Sequence, residues 1–415
     1  MITRIQALNY RCLRHIDQRM SNFHVLVGPN ASGKTTFLDV IAFLGHLVTE
    51  GLDRAVGDRT RNFQDLLWRR QGTGFELAIE AAIPQAVRQS LENAELDTVR
   101  YEVAVALNPQ TLEIGLTAER VLLKPSEKNG DPQRDFFPQL VAAPESILFP
   151  KSARGTQPVI KKVPGGNDNY YAETAKGYNP SFKLGERKSA LGNLPADEKT
   201  FPVSTWLRQF LTEGVQGFVL NSLLIRKASP PGQARRFKPD GSNLPWVIEH
   251  LRSTNTERFK DWLRHVRTGL PDLENVRVVE REDDKHRYLV LCYEGGLEVP
   301  SWMASDGTLR LLALTLPAYL TGFEGTFLIE EPENGIHPKA AEAVYQSLSS
   351  VYAAQVLMAT HSPVMLSLVE PDQVLCFAKD EQGATDIVDG SRHPALAEWH
   401  GEPNLNVLFA AGVLS

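Results

Sequence analysis

Apolar and polar positions alternate over residues 2–8 and give way to a largely apolar run, FHVLV, at 23–27, which predicts a strand at each place. Residues 34–48 put Phe37, Leu38, Ile41, Leu44 and Val48 at helical spacing, so a one-sided helix is expected directly afterwards. The segments 75–83, 99–107 and 111–123 read as successive strands joined by Pro-containing turns, an antiparallel patch beside this first unit. From about 125 to 200 the texture changes to Gly, Pro, Asn and Lys with no apolar heptad, which predicts an inserted lobe of long loops and no coiled-coil arm. Helical spacing returns at 201–214 and 244–269, and strand patterning at 276–282 and 287–293. The final part alternates helix 308–320, strand 326–330, helix 338–350 and strand 355–360, with short elements to the end. Strands separated by helices of this length favour a largely parallel sheet. The expected fold is α/β, with a mixed, largely parallel sheet and an antiparallel β patch. Residues 1–122 and 216–415 are the two halves of one head, interrupted by a partly irregular lobe at 123–215.

Composition narrows the class. The 415 residues are 42% hydrophobic and 23% charged, ample for a sizeable core. A net charge of −6 argues against a chain that coats nucleic acid by bulk attraction. Two local basic stretches remain, eight Lys/Arg against three acids over 151–188 and five against none over 226–238. Cys12, Cys292 and Cys376 are far apart and in no metal-like spacing, which fits a reducing compartment. No signal peptide and no run of about 18–20 apolar residues is present, so a cytoplasmic protein without a membrane span is expected.

The candidate chemistry starts at Gly28-Pro29-Asn30-Ala31-Ser32-Gly33-Lys34-Thr35, followed by Thr36, which matches G-x-x-x-x-G-K-[ST] throughout. Its glycines let the backbone approach a phosphate without a Cβ in the way, and successive N–H groups form an anion nest at a helix start. Lys34 is suited to the β- and γ-phosphates and the Thr35 hydroxyl to Mg²⁺. A chance glycine turn is the bland alternative; the apolar strand before the loop and the striped helix after it count against that.

Three further elements follow in order. Ser305-Asp306-Gly307-Thr308 opens a helix with a polar cap, a free serine hydroxyl and a bare glycine backbone, a combination able to meet an anion. The strand TFLIE ends in Glu330 and Glu331, two adjacent acids able to divide metal holding and water activation, where a solvated acidic turn would be an odd end to a buried strand. Thr360-His361-Ser362-Pro363 follows another apolar strand, which places His361 at the same carboxyl edge as Glu331.

In this order GPNASGKTT, ASDGTLRLLAL, LIEEPENGIHP and ATHSP resemble the Walker A, ABC signature, Walker B and H-loop motifs of ABC-type P-loop ATPase heads. The likeness is nearest to the SMC, RecF and OLD-like (overcoming lysogenization defect) group, many of which carry only the name AAA family ATPase. It covers residues 1–122 and 216–415. The resemblance implies ATP and Mg²⁺ as cofactors, with Lys34 and Thr35 at the phosphates and metal. It implies Glu330 as the Walker B acid, Glu331 as the catalytic glutamate and His361 as the switch histidine. It implies a homodimer that sandwiches ATP, Ser305 and Gly307 of one copy touching the nucleotide of the other. The Q-loop glutamine, a metal ligand, would be Gln64, with Gln71 as the alternative. Glu330 stands where Asp is commoner, and ASDGT replaces the LSGGQ of transporters, which counts against a transporter subunit. The 54 residues after His361 are too few for the TOPRIM nuclease domain that OLD proteins append. The implied function is a dimeric ATP-hydrolysing switch that controls a separately encoded effector or nuclease in antiphage defence or DNA maintenance. A RecF-like repair ATPase that binds DNA through the basic stretches is the alternative.

Overall fold

The computed structural model describes residues 1–93, 95–127, 134–150, 155–175 and 177–397. Its first half is an antiparallel sheet built from β1 (Ile2–Tyr10), β2 (Leu13–Arg19), β4 (Gly74–Ala82), β5 (Thr98–Leu107) and β6 (Ile114–Lys124), continued by β7 (Gln157–Lys162), β8 (Asp168–Tyr170) and β9 (Ser181–Phe182). The order is β2-β1-β4-β5-β6-β7-β8-β9. The second sheet takes β3 (Phe23–Val27), β10 (Val215–Phe218), β14 (Thr326–Glu330), β15 (Gln355–Ala359), β16 (Val374–Lys379) and β17 (Thr385–Asp389), in the order β10-β14-β15-β3-β16-β17. All its pairs are parallel except the last. A small antiparallel sheet, β11 (Leu273–Glu280), β12 (Arg287–Tyr293) and β13 (Leu297–Pro300), completes the set.

The parallel strands are buried on both faces, which is why they read as apolar runs rather than alternations. Leu26, Leu328, Leu357, Leu375 and Phe377 face the helix Lys34–Glu50 and, beyond it, the antiparallel sheet. Val25, Val27, Phe327, Ile329, Val356 and Met358 face the helices Leu244–Thr254, Thr256–Gly269, Asp306–Thr315 and Pro338–Ser349. The α/β layering and the antiparallel patch expected from the pattern are both present. Among the described residues the longest helix is the 17-residue Lys34–Glu50, so there is no coiled-coil arm. No helix among them is long and apolar enough to cross a membrane.

Several boundaries differ for identifiable reasons. The single helix expected over 244–269 breaks at Asn255, whose side chain accepts the Arg258 N–H at 3.0 Å and caps a second helix. The helix expected over 308–320 ends at Thr315, two residues ahead of Pro317. Within 123–215, strands β7–β9 add to the first sheet, and Leu191, Leu194, Phe201, Leu207 and Leu211 join the core beneath it. Of the basic stretches, Lys151, Arg154 and Lys176 lie outside the described residues. Lys162 is buried against Asp168 at 2.7 Å, and Arg226 pairs with Asp306 at 2.7 Å.

Candidate functional site

The loop 28–33 leaves β3 at its carboxyl end and enters the helix Lys34–Glu50. Its backbone alternates into the left-handed region at Ala31 (φ 62°) and Gly33 (φ 110°), the arrangement that turns successive N–H groups toward one point. Only glycine fits at two of its positions. A Cβ at Gly28 would lie 2.2 Å from the Phe377 carbonyl oxygen, and one at Gly33 would lie 2.3 Å from Thr385 Oγ1. Thr385 in turn donates to the Ser32 carbonyl at 2.8 Å, so β17 clamps the loop from behind. Gly33→Ala is expected to lower stability by about 1–3 kcal/mol through this overpacking, read as a drop in Tm, whereas an unchanged Tm would mean that Thr385 is not a clamp.

Asn30, Ala31, Ser32, Gly33, Lys34, Thr35 and Thr36 line a cleft of about 910 Å3 together with Glu330, Glu331 and His361. The sheet register explains the convergence. Glu330 on β14 pairs with Ala359 on β15, and Ala359 pairs with Leu26 on β3, so three strand ends finish side by side. The Thr35 hydroxyl donates to the Glu330 carboxylate. Lys34 is buried and donates to the carbonyls of Gly28 and Pro29 at 2.8 and 2.9 Å, which accounts for those two residues. Burial pulls the Lys34 ammonium down to about 8, against the opposing pull of Glu331 and Glu330.

Glu331 sits at φ 46°, a left-handed conformation costing on the order of 1–3 kcal/mol. It is held there by its N–H donating to the Ala359 carbonyl at 2.8 Å and by the Asn334 amide donating to its carboxylate. The strain aims an exposed carboxylate into the cleft. His361 is half-buried. Desolvation, then the charge of Lys34, keeps its imidazole below the usual value, against Glu331 and Glu333. At neutral pH it is uncharged, with one nitrogen donating and the other accepting.

Ser305 and Gly307 stand apart from this cleft, at the tip of the helix Asp306–Thr315. The serine hydroxyl expected to be free is not: it accepts the Thr308 N–H at 3.1 Å and contacts the Thr308 hydroxyl at 2.8 Å, as an N-cap does. Gly307 lies so close to the Gly335 carbonyl that a Cβ would come within 2.5 Å of it. Neither Gln64 nor Gln71 lines the cleft, although Asp65 does. They differ in environment: Gln64 Oε1 is buried with no hydrogen-bond partner, while Gln71 is exposed.

The structure also adds residues that the motifs did not announce. Arg11, Cys12, Arg69, Arg70 and Lys379 line the same cleft. Arg11 sits at φ 53° in the β1–β2 turn, its guanidinium 3.3 Å from Asp39, which also takes the Tyr10 hydroxyl and Arg59 at 2.6 Å each. Arg69 and Arg70 are both left-handed, pinned by Arg69 donating to the Gln382 carbonyl at 2.5 Å and by Arg70 pairing with Asp65 at 2.6 Å. Their one sequence signal is a cluster of basic residues around the Gln64 segment; the turn geometry that brings them in is tertiary.

Comparison with known proteins follows the same lines. Residues 23–367 match a family described as "AAA domain, putative AbiEii toxin, Type IV TA system". A search of the curated proteins returns no match. Among solved structures, an SMC head bound to the C-terminal winged-helix domain of ScpA aligns over 93% of this chain and 96% of its own, at 12% identity and a TM-score of 0.53. An SMC head with an extended coiled coil, bound to the C-terminal domain of ScpA derived from Pyrococcus furiosus, aligns over 93% and 95% at 13% identity and a TM-score of 0.48. The SMC head domain of Thermotoga maritima aligns over 94% and 98% at 10% and 0.43. At such identities the likeness is one of fold. With the match spanning most of the chain, the protein belongs to this AAA-domain family, and its fold is that of an SMC head.

Proposed function

We propose that the chain binds Mg·ATP in this cleft and hydrolyses it, as a head-to-head dimer whose second copy completes each site. One observation carries the reading: a phosphate-type loop, a strand-end acid pair and a strand-end histidine, far apart in sequence, line a single cleft. The residues fit the nucleotide and its metal. The glycine cradle has no room for a Cβ, and Thr35 and Glu330 bring two hard oxygen donors together. Gln64 lies outside the cleft lining, so its orphaned Oε1 would have to turn into the cleft to serve as a further oxygen ligand. Mg²⁺, when bound, neutralises charge on the phosphates.

The chain's own groups account for the remaining chemistry. Lys34 moves from the loop carbonyls to the β- and γ-phosphates. Glu331 takes a proton from a water as its oxygen bonds to the γ-phosphorus and the bond to the ADP oxygen breaks, yielding ADP, phosphate and a proton. His361 donates its single imidazole N–H to a γ-oxygen. The exposed tip carrying Ser305 and Gly307, set apart from its own chain's cleft, supports a trans role: its outward N–H groups meet the γ-phosphate held by the other copy.

The state of Lys34 gives a pH dependence. A triphosphate raises the ammonium's pKa from about 8, so above pH 8 the complex holds more protons than the free protein. ATP affinity is then level near pH 7 and falls by up to about tenfold per pH unit above 8. Titration of a fluorescent ATP analogue from pH 7 to 9.5 checks this, and a flat profile would remove Lys34 from the phosphate contact.

The family likeness supports a switch whose closure and release act on a separately encoded effector, in antiphage defence or DNA maintenance. The SMC head bound to a domain of ScpA is an instance of a head with a protein partner. DNA contact through 226–238 has less support, because Arg226 and Arg236 already face Asp306 and Glu213. Phosphate release from ATP by the purified chain tests the core proposal. Neither binding nor release at millimolar Mg·ATP would end it.

A further inference from the structure

We propose that Glu333 is a positioning residue that ties the strand-end histidine to the Ser305–Gly307 helix tip of the same chain; its functional meaning rests on the ATP reading above. Glu333 is half-buried in the turn after Glu331. Its Oε1 accepts the Thr360 hydroxyl at 2.6 Å and the His361 backbone N–H at 2.9 Å. Thr360 is fully buried, and its hydroxyl also accepts the Ser362 N–H at 2.9 Å. One carboxylate oxygen therefore organises the whole turn that presents His361 to the cleft.

The same residue holds the other side. Its carbonyl accepts the Ile336 N–H at 3.0 Å and closes the turn that contains Gly335. Gly335, at φ 75°, directs its carbonyl against Gly307, where even a methyl group has no room. A close-packed contact of this kind transmits displacement because neither side can compress. A shift of His361 toward a phosphate thus pulls Glu333, the turn and the helix tip together.

The carboxylate's second oxygen, Oε2, is buried without a hydrogen-bond partner. An unsatisfied buried acceptor is costly and in a native protein calls for a reason. The link gives the two ends of the site one moving part: contact at His361 resets the tip that meets the second copy.

Hydrogen exchange on the full, nucleotide-free chain tests the link without any turnover, comparing wild type with Glu333→Ala and Glu333→Gln. Glu333→Ala is expected to speed exchange by about tenfold or more at amides 360–362 and also at those of Thr308 and Leu309, which donate to Ser305, with β11–β12 unchanged. Glu333→Gln, which keeps the Oε1 acceptor, stays near wild type at both places. Faster exchange at 360–362 alone, or at neither place, overturns the coupling. If Glu333→Ala loosens the entire chain, Thr360→Val is read instead, since it removes the same hydrogen bond with a near-isosteric side chain. In the ATPase assay Glu333→Ala should lower kcat by about tenfold with KM within about threefold, and Glu333→Gln should rescue it. Equal losses in the two variants would show that the carboxylate charge and not the Oε1 acceptor matters, which overturns the link. Because exchange needs no hydrolysis, an inactive wild type would count against the ATPase reading and leave the link to be judged on exchange alone.

Discussion

Glu331→Gln leaves ATP affinity within about threefold of wild type while hydrolysis falls by on the order of 10²–10⁴, the usual weight of a general base. The amide has the carboxylate's shape and still accepts from Asn334, so the left-handed turn is undisturbed. It cannot take a proton from water. With closure still driven by nucleotide and release blocked, the population shifts to the ATP-bound dimer. Light scattering on the variant with Mg·ATP should report twice the monomer mass, against mostly monomer without nucleotide. Turnover at the wild-type rate would take the base role from Glu331. A blocked variant that stays monomeric at saturating ATP would keep the base and remove the sandwich.

Lys34→Ala weakens ATP binding by about 100-fold or more, since it deletes charge-assisted hydrogen bonds worth about 1.5–3 kcal/mol each. Nucleotide-dependent dimerisation disappears with it. The nucleotide-free chain should lose little Tm, because the burial that disfavours the Lys34 charge offsets its bonds to the Gly28 and Pro29 carbonyls and the pull of Glu331 and Glu330. Calorimetry separates the outcomes: lost ATP stabilisation with an unchanged baseline supports the assignment. ATP binding near wild-type strength would show that the loop does not grip phosphate through this residue.

Much of the architecture was legible because each apolar run had one structural meaning. FHVLV, TFLIE and QVLMA are too short for helices and too continuous for half-exposed strands, so burial on both faces was the remaining reading. The loop 28–35 was legible because few backbones other than a phosphate cradle use glycines at both ends and a lysine before a hydroxyl. Glu330, Glu331 and His361 followed from their places at strand ends, and the register Glu330–Ala359–Leu26 is what sets those ends side by side.

Less was legible where position depends on a distant partner. Strands β7–β9 lie in a polar, glycine-rich stretch without clear alternation and pair because an edge of the first sheet accepts them. Arg69 and Arg70 enter the cleft only because their left-handed turn is pinned by Gln382 and Asp65.

Local chemistry, then, was written in the sequence itself: strand period, helix stripe, the glycine cradle and the acid pair depend on neighbours a few residues away. What only the folded chain decided is which of these meet, and the reason is that packing sets distances between residues hundreds of positions apart. Glu333 shows the difference most plainly. In the sequence it is one more acid in a turn, and in the fold one of its carboxylate oxygens holds the threonine and histidine that follow strand β15.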